Sequence, residues 1–361
     1  MEKAVTSRKK WLFALLAVLC GVAVVLAFSL YGAFYDRKVP NFSGTYEFYV
    51  RPGMEPSDVV DTLLKSGVVL NHKSLRRTLG PLASMKVGHY TVDAKSSSKY
   101  VSRMLANGWQ SPVNLTLSGT IRTPEILARK IANQMLVDSA AVAEFALSED
   151  SLARYGITPA LLFTIVIPDT YQVLWTSSVS EIFDRFKKEA DAFWTDQRVE
   201  LARRQGLTPV GVATLASIVD GETQYGPEQP TVAGVYLNRL RIGMLLQADP
   251  TVAYCYGYSL NRILTRHLEI DSPYNTYKYA GLPPGPISCP PKSCLEAVLH
   301  AQNHSYLYFC ADPSFNGSHR FAATYTEHLN NARAFQRALD ARTKRGAYGR
   351  RPFPAVFRRG P

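Results

Sequence analysis

Cysteine is scarce in this sequence, with five residues among 361. The chain is therefore no disulfide-stapled scaffold, and its length allows two or three domains with cores of ordinary size. Several catalytic signatures are missing too. There is no G-x-S-x-G elbow, no Ser-His-Asp order and no glycine-rich phosphate cradle, which argues against hydrolase and nucleotide-binding readings. Glycine (23) and proline (22) are too few for a collagen-like or low-complexity chain. No internal repeat is visible. Acids are outnumbered, 29 Asp and Glu against 41 Lys and Arg, for a net charge of +12. That balance points to an anionic neighbour: a membrane surface, a nucleic acid or an acidic polymer. What is present is ordinary globular material, 46% hydrophobic and 19% charged, which rules out wholesale disorder.

One apolar run dominates the start. Residues 11–34 read WLFALLAVLCGVAVVLAFSLYGAF, without a charge. A bilayer core takes about 20 apolar residues as a helix, so the run is long enough to cross it. Lys3, Arg8, Lys9 and Lys10 precede it, and Asp36, Arg37 and Lys38 leave a smaller excess behind it. The positive-inside rule then places residues 1–10 in the cytoplasm and everything beyond residue 38 across the membrane. A cleaved signal peptide competes with this reading. Its apolar region normally runs to about 7–15 residues and ends in small residues. This one is longer and ends in Phe, Leu and Tyr, so an uncleaved transmembrane helix is expected, with Cys20 as apolar filler.

The expected fold class beyond the anchor is α+β. Residues 44–111 read as a small module. TYEFYV alternates like a strand, VVDTLLKSG has helical spacing closed by Gly67, VGHYTV is a second strand, and SSSKYVSRMLANG is a helix ending at Gly108. Residues 112–200 are an intermediate α+β segment with amphipathic helices around PEILARKIANQM and SEIFDRFKKEADAFW. Residues 201–341 concentrate the polar motifs and are expected to form the catalytic domain. Residues 342–361 form a tail with seven Lys and Arg and no acid. A solvated tail is the simple reading, and contact with an anionic surface is the alternative.

The richest segment is 208–257. Thr208-Pro209 is a helix start, a hydroxyl cap followed by proline in the first turn. Val212, Leu215, Ile218 and Val219 then give one apolar face. The run ends Asp220-Gly221-Glu222-Thr223. Glycine weakens a helix, so Glu222 falls in or just past the last turn. There a carboxylate meets the negative end of the helix dipole, and apolar walls add a desolvation penalty. Both raise its pKa, as a general acid at neutral pH requires. Asp220 and Glu222, two apart, point to different sides. Two solvated acids at a helix end would be the plain structural alternative. A second helix starts at Pro230, carries the stripe Val232, Val235, Tyr236 and Leu240, and ends at Gly243, with Asn238 and Arg239 beside the stripe. Asp249-Pro250 is another helix start, with Asp249 as its cap; Gln247 has no such local duty.

The stretch LASIVDGETQYGPEQPTVAGVYLNRLRIGMLLQADPTVAYCYG (215–257) resembles the central signature of the MltG (YceG-like) family of endolytic murein transglycosylases. IPDTYQVLW (167–175), SPYNTYKYAGLPPGPIS (272–288), YLYFCAD (306–312) and HRFAATYTEHLNNA (319–332) resemble further family motifs in the same order. The family commonly has Glu where Asp220 stands here, whereas Glu222 occupies the catalytic position. The resemblance implies a LysM-like module at 44–111. It also implies cleavage of the β-1,4 bond between N-acetylmuramic acid and N-acetylglucosamine within nascent peptidoglycan strands, leaving 1,6-anhydro ends and terminating glycan polymerisation. An ordinary glycosidase needs two carboxylates. A lytic transglycosylase manages with one, which protonates the leaving oxygen and then takes the C6 hydroxyl proton. A lone Glu222 without a close acidic partner fits that scheme. Asn238, Gln247, Tyr274 and Asn275 would hydrogen-bond sugar groups, and Arg239 would orient acids or the lactyl carboxylate. GLPPGPI would be a stiff cleft wall. Each of these residues has a purely structural alternative. Implied partners are peptidoglycan glycan strands, the bacterial cytoplasmic membrane and peptidoglycan synthases, with the catalytic domain periplasmic or extracytoplasmic. The rival reading is a non-catalytic, glycan-binding scaffold of the wall-synthesis machinery.

Cys289, Cys294, His300, His304 and Cys310 are spaced loosely like a zinc site. The two histidines lie near a helix end and Cys310 in a strand, so neither metal nor cofactor is expected. A disulfide, Cys289 with Cys294 or Cys255 with one of them, is the alternative for an oxidising compartment, beside buried free thiols. Nucleic acid is not expected as a partner, because the anchor puts the basic residues outside the cytoplasm.

Overall fold

The computed structural model describes residues 2–344, so the basic tail beyond Lys344 lies outside the described residues. Two compact units emerge. One comprises the chain up to Val113 with Leu174–Thr176; the other comprises Asn114–Val173 and the chain from Ser177 onward.

The first unit begins with α1 (Glu2–Lys38). Within it Phe13–Lys38 is long and apolar enough to cross a membrane, and its large apolar side chains such as Phe13 and Phe28 are exposed, by 72% and 73%. Then come β1 (Tyr46–Val50), α2 (Pro56–Lys65), α3 (His72–Leu79), β2 (Gly88–Val92) and α4 (Ser98–Asn107). The strands pair antiparallel, with Tyr46 opposite Val92 and Val50 opposite Gly88. Phe48, Val59, Leu63, Leu75, Tyr90 and Leu105 fill the core beneath them. The sequence pattern did not announce α3. Its HKSLRRTL has only two leucines, Leu75 and Leu79, to bury, and its start rests on Asn71, whose side chain caps Ser74 N. Gly108, at φ 72°, closes α4 in the left-handed region that glycine enters without strain. The end of α1 is locked into this unit: buried Asp36 accepts from Ser74 Oγ (2.6 Å) and from the Arg77 guanidinium (2.6 and 2.7 Å).

The second unit contains β3 (Val113–Thr116), whose first residue still clusters with the first unit, α5 (Pro124–Ala132), α6 (Ser139–Leu147), α7 (Glu149–Ala153), β4 (Thr170–Val173), α8 (Val179–Phe193) and α9 (Asp196–Arg204). It continues through α10 (Pro209–Glu222), α11 (Gln229–Arg241), α12 (Asp249–Cys255), α13 (Lys292–Leu299), β5 (Tyr308–Ala311), β6 (His319–Ala322) and α14 (Tyr325–Lys344). β3 pairs with β4, and β5 with β6 antiparallel. This is a mixed helical fold with small two-stranded sheets. Residues 114–173 pack into the same unit as the later helices.

Helix α10 is the axis of this unit. Thr208 caps it, accepting from Gly211 N at 3.1 Å, with proline in its first turn. Where one apolar face was expected, eight consecutive residues from Val212 to Val219 are buried. The two polar ones are satisfied locally. Thr214 Oγ1 donates to Val210 O, and Ser217 Oγ donates to Thr214 O while accepting from Ile287 N. A helix buried on all sides is a core element, and each buried Val, Leu or Ile contributes about 1.5–3 kcal/mol. It packs with Val232, Tyr236 and Leu237 of α11 and Cys294, Leu295 and Val298 of α13.

Candidate active site

Glu222 is the last residue of α10, with Thr223 as the C-cap. The helix aims its negative pole at this side chain. The carboxyl is half-buried. Tyr236 on α11, 1% exposed, donates its hydroxyl to Glu222 Oε1 at 2.7 Å. Burial pushes the Glu222 pKa up to about 7. The Tyr236 hydrogen bond opposes the rise, the charge of Asp249 adds to it, and the Arg239 guanidinium opposes it. The hydroxyl meanwhile loses acidity: burial and the facing carboxyl raise the Tyr236 pKa well above the ordinary tyrosine value.

Asp249 is a residue that sequence reasoning misplaced. It was expected to cap a helix. The cap of α12 is Ala248 instead, and Asp249 is the first helical residue. Its side chain turns inward, where Oδ1 accepts from the Tyr277 hydroxyl at 2.6 Å and Oδ2 is buried without a hydrogen bond among the described residues. Burial raises its pKa, against the Tyr277 hydrogen bond. The charge of Asp249 reaches Glu222, where a carboxyl without a close acidic partner was expected. Gly221 is what brings the two together. A Cβ there would stand 2.6 Å from Pro250 Cβ, so only glycine lets the end of α10 abut the start of α12. Two features of the sequence carried this information: a tyrosine inside the α11 stripe, and a glycine one residue before the acid.

Asp220 faces elsewhere, as the two-residue spacing implies. Its Oδ1 lies 3.9 Å from Cys294 Sγ, and burial raises its pKa, with Arg122 acting oppositely.

The other expected site residues divide into two sets. Asn238, Arg239 and Asn275 hold backbone. Asn238 donates to His304 O and Tyr306 O (2.8 and 2.9 Å). Arg239, 8% exposed, donates to Leu307 O and Leu246 O, both at 2.7 Å. Asn275, fully buried, donates to Leu268 O and Ile270 O. These bonds brace the loops that carry Gln247 and Tyr277. Among the described residues the side chains of Gln247 and Tyr274 hold no backbone, and the Tyr274 hydroxyl is buried. Gln247 sits at φ 49°, unusual for a residue with a Cβ, and its backbone N donates to Thr276 O. Tyr274 packs its ring on Tyr254, centroids 4.5 Å apart. Tyr254 also lines a cavity of about 90 Å³ with Arg122, Tyr258 and Pro286. The GLPPGPI stretch is pinned to α10 through Ile287 N on Ser217 Oγ.

The Cys/His window is not brought together as a ligand set. All five cysteines are free. Cys289 Sγ donates to Val166 O, and burial raises the Cys294 thiol to about 12 and the Cys310 thiol to about 11. His304 Nε2 pairs with Thr231 O. Among the described residues no group of three metal-ligating side chains stands together.

A half-buried carboxyl with a near-neutral pKa, held by a tyrosine at the end of a core helix, is a candidate general acid. The YceG-like family model matches residues 48–334, and the chain belongs to that family. A protein of Bacillus subtilis named endolytic murein transglycosylase is 38% identical over 152 residues, covering 42% of this chain and 41% of that protein. A protein of Streptococcus pneumoniae serotype 2 with the same name is 25% identical over 316 residues, covering 77% of this chain and 56% of that one. The chain thus spans roughly half the length of these relatives, or less. A crystal structure of a yceG-like protein from Listeria monocytogenes superposes with TM-score 0.52 at 26% identity, over 80% of this chain and 99% of that one.

Proposed function

We propose that this chain is a membrane-anchored endolytic lytic transglycosylase. It cuts the β-1,4 bond between N-acetylmuramic acid and N-acetylglucosamine within nascent peptidoglycan, and so ends glycan polymerisation. The names of its relatives support the reaction class, and the observation that carries the reading is the environment of Glu222. Held protonated near neutral pH, Glu222 protonates the leaving glycosidic oxygen; ionised after that transfer, it takes the proton of the C6 hydroxyl as the anhydro ring closes. Tyr236 holds the carboxyl in place. Gln247 and Tyr274 contact the sugar, and Asn238, Arg239 and Asn275 set the loops around it. Residues 11–34 anchor the chain in the bacterial cytoplasmic membrane with residues 1–10 inside. The module at 44–111 is LysM-like and engages glycan, and peptidoglycan synthases are partners.

Asp249 favours one variant of this reading. Two neighbouring carboxyls can hydrolyse a glycoside, one as acid and one as base for water. The product would then carry a reducing end instead of an anhydro end. Mass spectrometry of strands cut by the wild-type protein separates the two, because the anhydro product is lighter by one water. Anhydro ends support the transglycosylase; reducing ends alone replace it by the hydrolase. A scaffold would leave strand length unchanged and has no use for a carboxyl kept neutral by its surroundings. Glu222→Gln is expected to fold and to release neither product.

A further inference from the structure

A notch of about 1040 Å³ lies within the first unit, lined by the end of α1, by α3 and by α4. Its composition changes along its length. Toward the apolar run it is walled by Val25, Phe28, Ala33 and Phe34. Toward the module it is walled by Arg37, Lys38, Arg77, Lys99 and Arg103. The one acid in the lining, Asp36, is buried and already engaged by Arg77 and Ser74. Among the described residues, Arg37, Lys38, Lys99 and Arg103 form no ion pair, and all four are exposed. Lys99 and Arg103 sit one helical turn apart on α4, both on its notch face. The Asp36–Arg77–Ser74 cluster fixes the end of α1 against α3, so the apolar and basic walls are held together by buried bonds.

We infer that this notch binds the headgroup of an anionic phospholipid, with an acyl chain against the Val25–Phe34 wall and the phosphate among Arg37, Lys38, Lys99 and Arg103. Four cations beside a membrane-spanning helix, none of them in an ion pair among the described residues and with Asp36 already bonded to Arg77, attract an anionic lipid surface. A zwitterionic headgroup gains little from the same charges, and a free phosphate lacks anything to fill the apolar half. Bound lipid would fix the height of the glycan-cutting unit's tether above the bilayer. The inference rests on α1 lying in the membrane, and the test separates the two.

The full chain, purified in detergent, is mixed with equal amounts of phosphatidylglycerol and phosphatidylcholine, and retained lipid is counted by native mass spectrometry. Retention of phosphatidylglycerol over phosphatidylcholine is expected. Lys99→Gln with Arg103→Gln should weaken that retention on the order of twenty-fold. Arg203→Gln with Arg204→Gln, an exposed pair on α9 with the same charge loss, should leave it unchanged. Equal loss in both pairs, or no preference in the wild type, overturns the site. Glycerol 1-phosphate binding as tightly as the lipid overturns the lipid assignment. Flotation with neutral phosphatidylcholine vesicles tests the anchor alone: a chain that floats yet shows no headgroup preference refutes only the notch, and one that does not float refutes both.

Discussion

At Glu222 the competing effects have definite signs. Burial and the Asp249 charge favour the protonated carboxyl, while the Tyr236 hydroxyl and Arg239 favour the ionised one. A general acid works only while protonated, so activity falls as pH rises through the Glu222 pKa. Asp249→Asn removes the neighbouring charge and keeps an oxygen for the Tyr277 hydroxyl. Its falling limb should therefore move to lower pH, by about one unit, with the fold intact. An unmoved limb would show that the two carboxyls do not interact. Tyr236→Phe acts in the opposite direction. The ionised carboxylate loses its donor, so the limb moves to higher pH, and stability at alkaline pH drops by about 1–3 kcal/mol. Urea unfolding of this variant at pH 5 and pH 9 checks the second effect: the loss should be smaller at the acid pH, where the carboxyl is neutral.

At the scale of elements, the Thr208 cap of α10 and the prolines that start α10, α11 and α12 were legible. So was the placement of Glu222 at the end of α10, because Thr208-Pro209 and Pro230 act locally. The inward turn of Asp249 was not. Aspartate before proline has the same local pattern whether its side chain caps the helix or reaches a tyrosine 28 residues away, and only the tertiary contact decides. The helix α3 escaped for the converse reason, since two leucines give little periodicity to read. Asn238 and Asn275 looked like sugar contacts because polar residues in a dense motif suggest ligands. Their amides satisfy backbone carbonyls in irregular loops, a structural duty that polar residues can serve equally well. Gly221 looked like a helix weakness and is a packing contact. Gly221→Ala should cost about 1–3 kcal/mol by forcing α12 away from α10. Differential scanning calorimetry should show the lower Tm, and the Glu222-dependent limb should shift as Asp249 recedes. A variant as stable and as active as wild type would remove the packing argument.

For the molecule as a whole, the Glu222 carboxyl is held at some expense to stability. The folded pKa of Glu222 is about 7 against an ordinary 4.5. Below the unfolded value both states hold the proton and nothing is lost. Between the two values the folded state keeps a proton that the unfolded state has released, so stability falls as pH rises through this window. Glu222→Gln escapes that loss. It should be more stable than wild type at pH 8, on the order of 2 kcal/mol once its solvent opening is allowed for, and nearly equal at pH 4. The apolar run that becomes α1 and the motif-dense region that holds α10 to α12 stand out in the sequence. The joining of residues 114–173 to the later helices does not, because that depends on long-range packing around α10.

The pH dependence of bond cleavage in purified glycan strands, followed with wild type and Glu222→Gln side by side, tests the account most directly. Wild-type cleavage should fall through a midpoint near pH 7, and the Gln variant should release no product at any pH. Wild-type activity that instead falls through the ordinary carboxylate range, or a Gln variant that cuts at the wild-type rate, would contradict it.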